Sequence, residues 1–384
     1  MTDPSRSKET RLQVSQVQAL FRGWLGQVAR LVALLGDDFP DYYDPGIGGW
    51  ARNGGWTEGF WTGILWWLYA WSRDERYLTW ARHYTRLLAA QKAEFSDHDL
   101  GFLFYHSCVL ESALTGNDEM VPAALAAARR LAARFNPAGC FIRAHGALDD
   151  PERAGYAIVD TAMNLRLLFW AYKWTGEEHF YEIGRKAAWT IAREFMRPDG
   201  STYQVVWFDP QTGAVRDKGT LQGYNAISCW SRGQAWGIYG LTQVYKFTGE
   251  TCFKDWAVSM AHYFLTHLPS DGVAPYDFTD PQGDQAVKDT SAQAIAGAGL
   301  LALADLTVGE ERRMWQAQGE RLLAILCREY AVVPSEAEVE TRGLLRGGCY
   351  FLARGRGVNS DLIFGDYYLV EGLMRFLSMT ALGN

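Results

Sequence analysis

Residues 60–71 read FWTGILWWLYAW and form the most apolar stretch of the 384-residue chain. A helix that crosses a membrane needs about 20 apolar residues, so this shorter run predicts a buried helix of a globular core instead. The next residues, Ser72-Arg-Asp-Glu, form a polar turn and place acidic side chains in the first turn of another helix. Acidic groups in a first turn interact favourably with the helix dipole. The stretch therefore predicts an apolar helix, a short turn and a second helix.

Turns of the same kind recur after Leu114, Trp174, Phe247 and Leu306, each with Gly or an acidic residue nearby. Helical periodicity dominates between them, and a diverged repeat of helical hairpins follows from this spacing. Twelve helices are predicted near 9–36, 58–71, 75–93, 99–114, 118–135, 161–174, 178–196, 231–247, 251–267, 290–305, 310–330 and 366–380.

The helix before each turn is the more apolar of its pair, and the helix after it carries more charge. This asymmetry predicts an inner ring of buried helices inside an outer ring that faces water. We expect an all-α fold, an (α/α)6 barrel forming a single catalytic domain over residues 1–384. Short β-hairpins, predicted at 202–217 and 343–353, cap one end. An open scaffold of helical repeats, of the tetratricopeptide type, is the structural alternative.

Composition narrows the class of protein. Forty-four acidic against 37 basic residues give a net charge of −7, which argues against a nucleic-acid binder. Six widely spaced cysteines without a CxxC pair argue against a disulfide framework or a zinc knuckle. The N-terminus is polar, and phosphate-loop, dinucleotide, metalloprotease and esterase motifs are missing. We expect a cytoplasmic protein, monomeric or dimeric, without membrane association, metal or cofactor.

The candidate chemistry lies in carboxylates at the starts of apolar helices. Asp97-His98-Asp99 directly precedes one such helix, and Asp160 precedes another. Either acid can simply cap its helix. Alternatively, a carboxyl at the mouth of an aromatic barrel is partly desolvated, which raises its pKa toward the range that suits general acid–base catalysis.

Binding residues are predicted around a third helix start. Arg232 and Trp236 are four residues apart and share one helical face. An Arg fork suits a planar carboxylate, and a Trp face can pack on a sugar ring. An ordinary ion pair beside a core Trp is the structural alternative. Gln222, Trp56 and His145 are further candidates in neighbouring segments.

At these motifs the chain resembles the unsaturated glucuronyl hydrolases, family 88 of the glycoside hydrolases. The matching stretches occur in family order between about residues 40 and 380. They are WTEGFWTGILWW (56–67), HDLGFLF (98–104), AIVDTAMNL (157–165), TLQG (220–223), SRGQAWGIYG (231–240) and IFGDYY (363–368). The resemblance implies an (α/α)6 barrel and a substrate that is an oligosaccharide ending in an unsaturated uronic acid.

The chemistry that the resemblance implies differs from ordinary glycoside hydrolysis. The terminal sugar carries a C4=C5 double bond conjugated to its carboxylate, which makes the ring a vinyl ether. An acid protonates C4, water adds at C5, and the hemiketal opens and expels the leaving group. The resemblance assigns the general acid and base to Asp160 and a second essential carboxylate to Asp99.

The same resemblance implies substrate-binding roles for His98, Gln222, Arg232 and Trp236, with Arg232 on the uronate carboxylate and Trp236 against the ring. The chain also departs from the family pattern. Gln204 stands where well-known members have His, so any acid role there is lost. His145 stands where they have Trp, and Leu221 replaces a polar residue. Ser360 lies near a carboxylate-binding loop of the family.

Three alternatives remain open from the sequence. The sister family acts on unsaturated galacturonyl-rhamnose and shares the Asp160 position, but Asp99 favours the glucuronyl group. Sugar 2-epimerases use the same barrel but rely on His pairs facing the cavity. A non-catalytic helical-repeat scaffold would not need Asp99, Asp160 and Arg232 together.

Overall fold

The computed structural model describes residues 11–333 and 341–382, and this part of the chain is predominantly helical with short sheets. The predicted helices are all found, with ends shifted by a few residues; the predicted start at residues 9 and 10 lies outside the described residues. The helices are α1 Val14–Leu35, α2 Glu58–Ser72, α3 Glu75–Gln91, α4 over residues 100–115, α5 Val121–Ala133, α6 Thr161–Thr175, α7 Glu178–Thr190, α8 Ser231–Thr248, α9 Thr251–Thr266, α10 Thr290–Asp305, α11 Gly309–Glu329 and α12 Ile363–Leu382.

Two of these helices contain π-helical turns. In α4 the turn Tyr105–Val109 lies between Leu100–Phe104 and Leu110–Thr115, and α7 continues into the turn Ile191–Phe195. Such turns insert one extra residue per turn and commonly mark places where a helix adapts to its surroundings. The helix α12 begins three residues earlier than predicted, because the IFG segment that precedes Asp366 is helical.

The even-numbered helices form the apolar interior. In α10 every residue from Thr290 to Ala304 is buried, and in α8 every residue from Ser231 to Val244 is buried. The odd-numbered helices are amphipathic; α3, for example, buries a stripe that includes Tyr77, Tyr84 and Leu88. This division confirms the predicted contrast between an apolar helix and its more charged partner.

The even-numbered helices also pack against one another in sequence. Helix α2 contacts α4, α4 contacts α6, α6 contacts α8, α8 contacts α10, α10 contacts α12, and α12 contacts α2. Each of α3, α5, α7, α9 and α11 packs on the even-numbered helix that precedes it. Helix α1 reaches α2 through the rings of Phe21 and Trp71, whose centroids are 5.2 Å apart.

Short and long connections alternate along the chain. Turns of a few residues join each even-numbered helix to the next odd-numbered one, which makes the two antiparallel. The connections that lead back to the even-numbered helices are longer and hold every described strand. All even-numbered helices therefore begin at the end with the long connections. Helix α1 begins, and α12 ends, at the opposite end.

The strands form three small sheets at the end with the long connections. The first has the order β2-β1-β9-β8, the second pairs β3 with β4, and the third has the order β5-β6-β7. Hairpin β6–β7 confirms the hairpin predicted at 202–217. Only β8 falls within the second predicted range, 343–353; its partner β9 begins at Arg356, so the second hairpin lies later in the chain than predicted. The strands are β1 Pro40–Asp44, β2 Gly49–Arg52, β3 Phe135–Asn136, β4 Phe141–Ile142, β5 Tyr156–Ile158, β6 Val205–Phe208, β7 Val215–Gly219, β8 Gly348–Phe351 and β9 Arg356–Leu362.

Among the described residues, no helix has both the length and the apolar character that a membrane crossing requires. All six cysteines lie in described segments and have free thiols, and four of them are buried.

Candidate active site

The site is built where the starts of α4 and α6 meet. The two backbones approach closely at Gly101, where an added Cβ would lie 2.5 Å from the Asn164 Cα. Only a residue without a side chain fits there. The contact brings Asp99, just before α4, and Asp160, just before α6, to the same place at the end with the long connections.

Neither acid caps its helix. Asp99 and Asp160 occupy the capping positions, but neither side chain accepts a hydrogen bond from the first turn. Aspartates at two other helix starts do so: Asp74 accepts from Arg76 N, and Asp289 accepts from Ser291 N. A capping aspartate gains stability from that bond. The capping interpretation is therefore wrong for Asp99 and Asp160, whose carboxyls remain available for chemistry.

Asp99 is buried, with 7% of its surface exposed. Its Oδ1 accepts a hydrogen bond from Asn164 Nδ2 at 3.1 Å and lies 3.3 Å from His98 Nε2. Burial raises the pKa of Asp99 well above its ordinary value, and the nearby charges of Asp97 and Asp160 act in the same direction. The protonated form of Asp99 is therefore favoured.

Asp160 has a different environment. Its Oδ2 is buried and has no hydrogen-bond partner in the structure. Burial raises the pKa of Asp160 to about 6, although the charge of Arg232 acts in the opposite direction. A carboxyl that titrates near 6 can both donate and accept a proton close to neutral pH.

Two histidines, both hydrogen-bonded to Asp97, lie beside the two acids. His98 is fully buried, its Nδ1 is 2.9 Å from Thr161 Oγ1, and burial lowers the pKa of His98 to about 3. The carboxylate of Asp97 accepts from His98 N at 2.6 Å and pairs with His145 Nδ1 at 2.9 Å. Burial works against ionisation of Asp97, but the hydrogen bond from His145 and the neighbouring charges lower its pKa.

One group among the described residues is spaced closely enough to hold a metal ion. It consists of Asp97, His98 and His145, whose possible ligand atoms all lie within 4.8 Å of one another. Asp97 and His145 already pair with each other, which explains their proximity without an ion. The absence of a metal stays a prediction.

A network of amides and aromatic residues adjoins the strand that leads into Asp160, since Val159 N donates to Gln204 O at 2.9 Å. Gln204 Nε2 donates to Gln222 Oε1 at 2.5 Å, and Gln204 Oε1 accepts from Gln222 N at 2.8 Å. Gln222 Nε2 donates to Tyr350 O at 3.4 Å, while the indole N–H of Trp56 donates to Tyr350 Oη at 2.7 Å. Trp56 is partly exposed, and its contact with a sugar stays a prediction.

Arg232 disagrees with its predicted role. Its side chain is buried, and NH1 donates to Asp289 Oδ2 at 2.6 Å and to Cys349 O at 2.7 Å. NH2 donates to Tyr350 O at 2.6 Å. Three of the five guanidinium N–H groups therefore already donate to protein acceptors, which reduces what Arg232 can offer to a uronate carboxylate. The ion-pair alternative describes Arg232, and its charge acts on the site at a distance.

Trp236 and Ser360 also lie away from the position expected of them. The Trp236 ring has no exposed surface and packs against Phe102 and Tyr368, with centroids 5.0 Å and 5.4 Å away. A ring enclosed in this way does not present a face to a sugar. Ser360 is buried on β9, and its hydroxyl donates to Val358 O at 3.4 Å.

Three residues of the site were not predicted from the sequence: Asn164, Thr161 and Tyr350. Asn164 follows Asp160 by four residues and so lies on the same face of α6, a spacing that could have indicated it. Tyr350 is far away in the chain, and the sequence contains no signal for its contact with Trp56.

Comparison with known proteins decides the family. The model of Glycosyl Hydrolase Family 88 matches residues 41–295. The chain belongs to glycoside hydrolase family 88. It is 35% identical to the unsaturated chondroitin disaccharide hydrolase of Streptococcus pneumoniae over 330 residues, covering 84% of this chain and 82% of the relative.

Solved structures of this family agree with the fold. The unsaturated glucuronyl hydrolase of Bacillus sp. GL1, responsible for the degradation of glycosaminoglycan, superimposes with a TM-score of 0.90 at 33% identity. That match covers 94% of this chain and 96% of the other. A mutant of the Streptococcus agalactiae enzyme in complex with dGlcA-GalNAc6S gives a TM-score of 0.81 at 29% identity, covering 95% and 92%.

The predicted resemblance is thus confirmed, and the chain is a glycoside hydrolase. These matches favour the glucuronyl hydrolases over the galacturonyl-rhamnose group, the epimerases and the non-catalytic scaffolds.

Proposed function

We propose that this family 88 enzyme removes a 4,5-unsaturated glucuronic acid from the non-reducing end of oligosaccharides produced by polysaccharide lyases. The observation that carries the proposal is the environment of the Asp160 carboxyl. This carboxyl does not cap its helix, and its buried Oδ2 has no hydrogen-bond partner. Burial raises the pKa of Asp160 to about 6. The names of the relatives, which act on unsaturated glucuronyl and chondroitin disaccharides, support the same substrate class.

The proposed reaction begins with proton transfer from Asp160 to C4. The C4=C5 electron pair forms the new C4–H bond, and the ring oxygen stabilises the positive charge that develops at C5. Water then adds to C5 and returns a proton to Asp160, which restores the acid. The resulting hemiketal opens, C1 becomes an aldehyde, and the leaving sugar departs as an alcohol. One water is consumed, and no glycosyl-enzyme bond forms, so the carboxylate-spacing rule of ordinary glycosidases does not apply.

Asp99 and His98 assist this reaction in different ways. A protonated Asp99 can donate a hydrogen bond to the sugar and adds no negative charge beside Asp160, and Asn164 fixes its orientation. His98 stays neutral because burial lowers the pKa of its ring, so it binds as a hydrogen-bonding group and not as a cation.

We assign the remaining binding roles to Trp56, Gln222, Gln204 and His145. Arg232 is proposed to act through its charge and by holding Tyr350, since its terminal nitrogens already donate to protein groups. Direct contact of Trp236 or Ser360 with the sugar is not part of this proposal.

We infer that the helices close into an (α/α)6 barrel that forms one domain. The cyclic order of contacts among the even-numbered helices supports this inference. A cytoplasmic location is also proposed, because free, mostly buried cysteines suit a reducing compartment. Whether the enzyme is a monomer or a dimer stays a prediction.

The direct test follows the near-ultraviolet absorbance of the conjugated alkene after an unsaturated disaccharide is added. We expect absorbance to fall with unsaturated glucuronyl disaccharides from chondroitin or gellan, and to fall more slowly with unsaturated galacturonyl-rhamnose. No loss of absorbance across glucuronyl disaccharides of different linkage would refute the proposal.

A further inference from the structure

The loop over residues 220–228 exposes apolar side chains beside the site. Leu221 is 50% exposed, Tyr224 is 51% exposed and Ile227 is 76% exposed. Large apolar side chains grouped on a surface often mark a place where a ligand binds. The reaction assigned to Asp160 and Asp99 does not use these residues.

The third sheet places this loop relative to Asp160. Ile158 of β5 pairs with Val205 of β6, and Val205 pairs with Gly219 of β7. One step further along, Gln204 O accepts from Val159 N at 2.9 Å, and Gln204 Oε1 accepts from Leu221 N at 2.9 Å. Leu221 therefore lies about two strand spacings, ~10 Å, from the strand that leads into Asp160. That separation suits the sugar next to the one that reacts.

The loop is held in one shape by hydrogen bonds within it and to Asp277. Thr220 Oγ1 donates to Ser228 O at 2.9 Å, and Asp277 Oδ2 accepts from Tyr224 N at 2.9 Å and from Ser228 Oγ at 2.6 Å. A Cβ at Gly223 would lie within 2.6 Å of atoms of Thr220, Ser228 and Asp277, so the turn needs glycine there. A surface fixed before binding loses little conformational freedom when a ligand packs on it.

The chemistry of the loop indicates the kind of sugar it accepts. Residues 220–228 read TLQGYNAIS and contain no charged side chain. Arg197 contacts the loop, but its terminal nitrogens already donate to Ile227 O, Ser228 O and Thr202 O. An anionic substituent facing the loop would lose hydration without gaining a partner there.

We propose that Leu221 and Tyr224 form the surface on which the leaving sugar packs, and that this surface selects leaving sugars that are neutral on the packed face. The inference rests on the proposed function. Neutral hexoses and N-acetylhexosamines are the substrate class that it names.

The test compares variants on two substrates. One substrate is the unsulfated unsaturated chondroitin disaccharide, and the other is the methyl glycoside of unsaturated glucuronic acid, which has no leaving sugar. Ile227→Ser is the matched control, because it removes an exposed apolar side chain from the same loop that is not part of the proposed surface. Leu221→Ser and Tyr224→Ala are each expected to lower kcat/KM on the disaccharide about fivefold, mainly through KM.

On the methyl glycoside, and for Ile227→Ser on both substrates, kcat/KM should stay within about twofold of the unchanged enzyme, an effect below 0.5 kcal/mol or so. Equal losses on both substrates, or no loss on the disaccharide, would overturn the role of the loop. Preference of the unchanged enzyme for a disaccharide sulfated on the leaving sugar would overturn the selectivity. Inactivity on both substrates would instead refute the proposed function, and with it this inference.

Discussion

The carboxyl of Asp160, the proposed general acid, also has a cost in stability. Its folded-state pKa of about 6 lies above the ordinary value of 3.8, because burial disfavours the charged form. Between these values the unfolded chain releases a proton that the folded chain retains. The free energy of unfolding therefore falls as the pH rises from about 4 to about 6, and the loss persists at neutral pH.

Replacing Asp160 by Asn should separate the two effects. We expect Asp160→Asn to lower kcat by about a thousandfold, since general acid–base catalysis contributes about 10²–10⁴. The variant should be more stable than the unchanged enzyme by about 1–3 kcal/mol at neutral pH, because no buried charge must form. Turnover and urea unfolding at pH 5 and pH 7 measure both. Retained activity would show that another residue is the general acid.

The pH dependence of the rate follows from the same group. Because protonated Asp160 is proposed to start the reaction, kcat/KM should fall about tenfold for each pH unit above about 6. Initial rates with saturating and limiting disaccharide between pH 5 and pH 8 provide the measurement. A rate that rises through this range would indicate that the ionised form acts first.

Variants of Arg232 distinguish two roles for this residue: a buried charge that stabilises the fold, and a group that contacts the substrate. Breaking its pair with Asp289 leaves an unpaired buried charge, so Arg232→Met should lower the free energy of unfolding by about 3–5 kcal/mol. Asp289→Asn should destabilise the fold in the same sense. Thermal unfolding of both variants decides the matter. If Arg232→Met raised KM at unchanged stability, direct binding of the uronate would be supported instead.

At the scale of elements, the alternation of apolar and charged helices was predictable from sequence, because the residue composition of each helix reflects how much of its surface is exposed to solvent. The acids at the helix starts were also predictable, since Asp99 and Asp160 directly precede apolar runs. The enclosed positions of Arg232 and Trp236 were not, because their partners Asp289, Tyr350 and Tyr368 come from distant parts of the chain. An arginine on a helix face gives the same sequence pattern whether its guanidinium binds a ligand or a backbone carbonyl.

The contact between α4 and α6 should be intolerant of added volume. Gly101→Ala would push a Cβ into Asn164, whose side chain holds Asp99, so we expect both lower stability by about 1–3 kcal/mol and loss of activity. Gly26 in α1 is the control, because the nearest atom to an added Cβ there is 3.6 Å away. Gly26→Ala should be neutral or stabilising by up to about 1 kcal/mol. Chemical denaturation and turnover of both variants give the comparison.

At the scale of the whole molecule, the cyclic contacts predict that the helices unfold together. Because α12 packs on both α2 and α10, loss of the last helix exposes the first even-numbered one as well. We expect a single calorimetric transition in which the calorimetric and van't Hoff enthalpies agree. Two separable transitions would indicate independent units and would contradict the single-domain prediction.

The separation of short turns from long connections has a practical consequence. Residues 11 and 382, the limits of the described helical part, lie at the end opposite the two acids. A solid support or a fused partner attached near either residue would leave the catalytic mouth pointing into solution. The enzyme is therefore suited to immobilisation as a reactor for lyase digests, where viscous, partly degraded polysaccharide must reach the site from one side only.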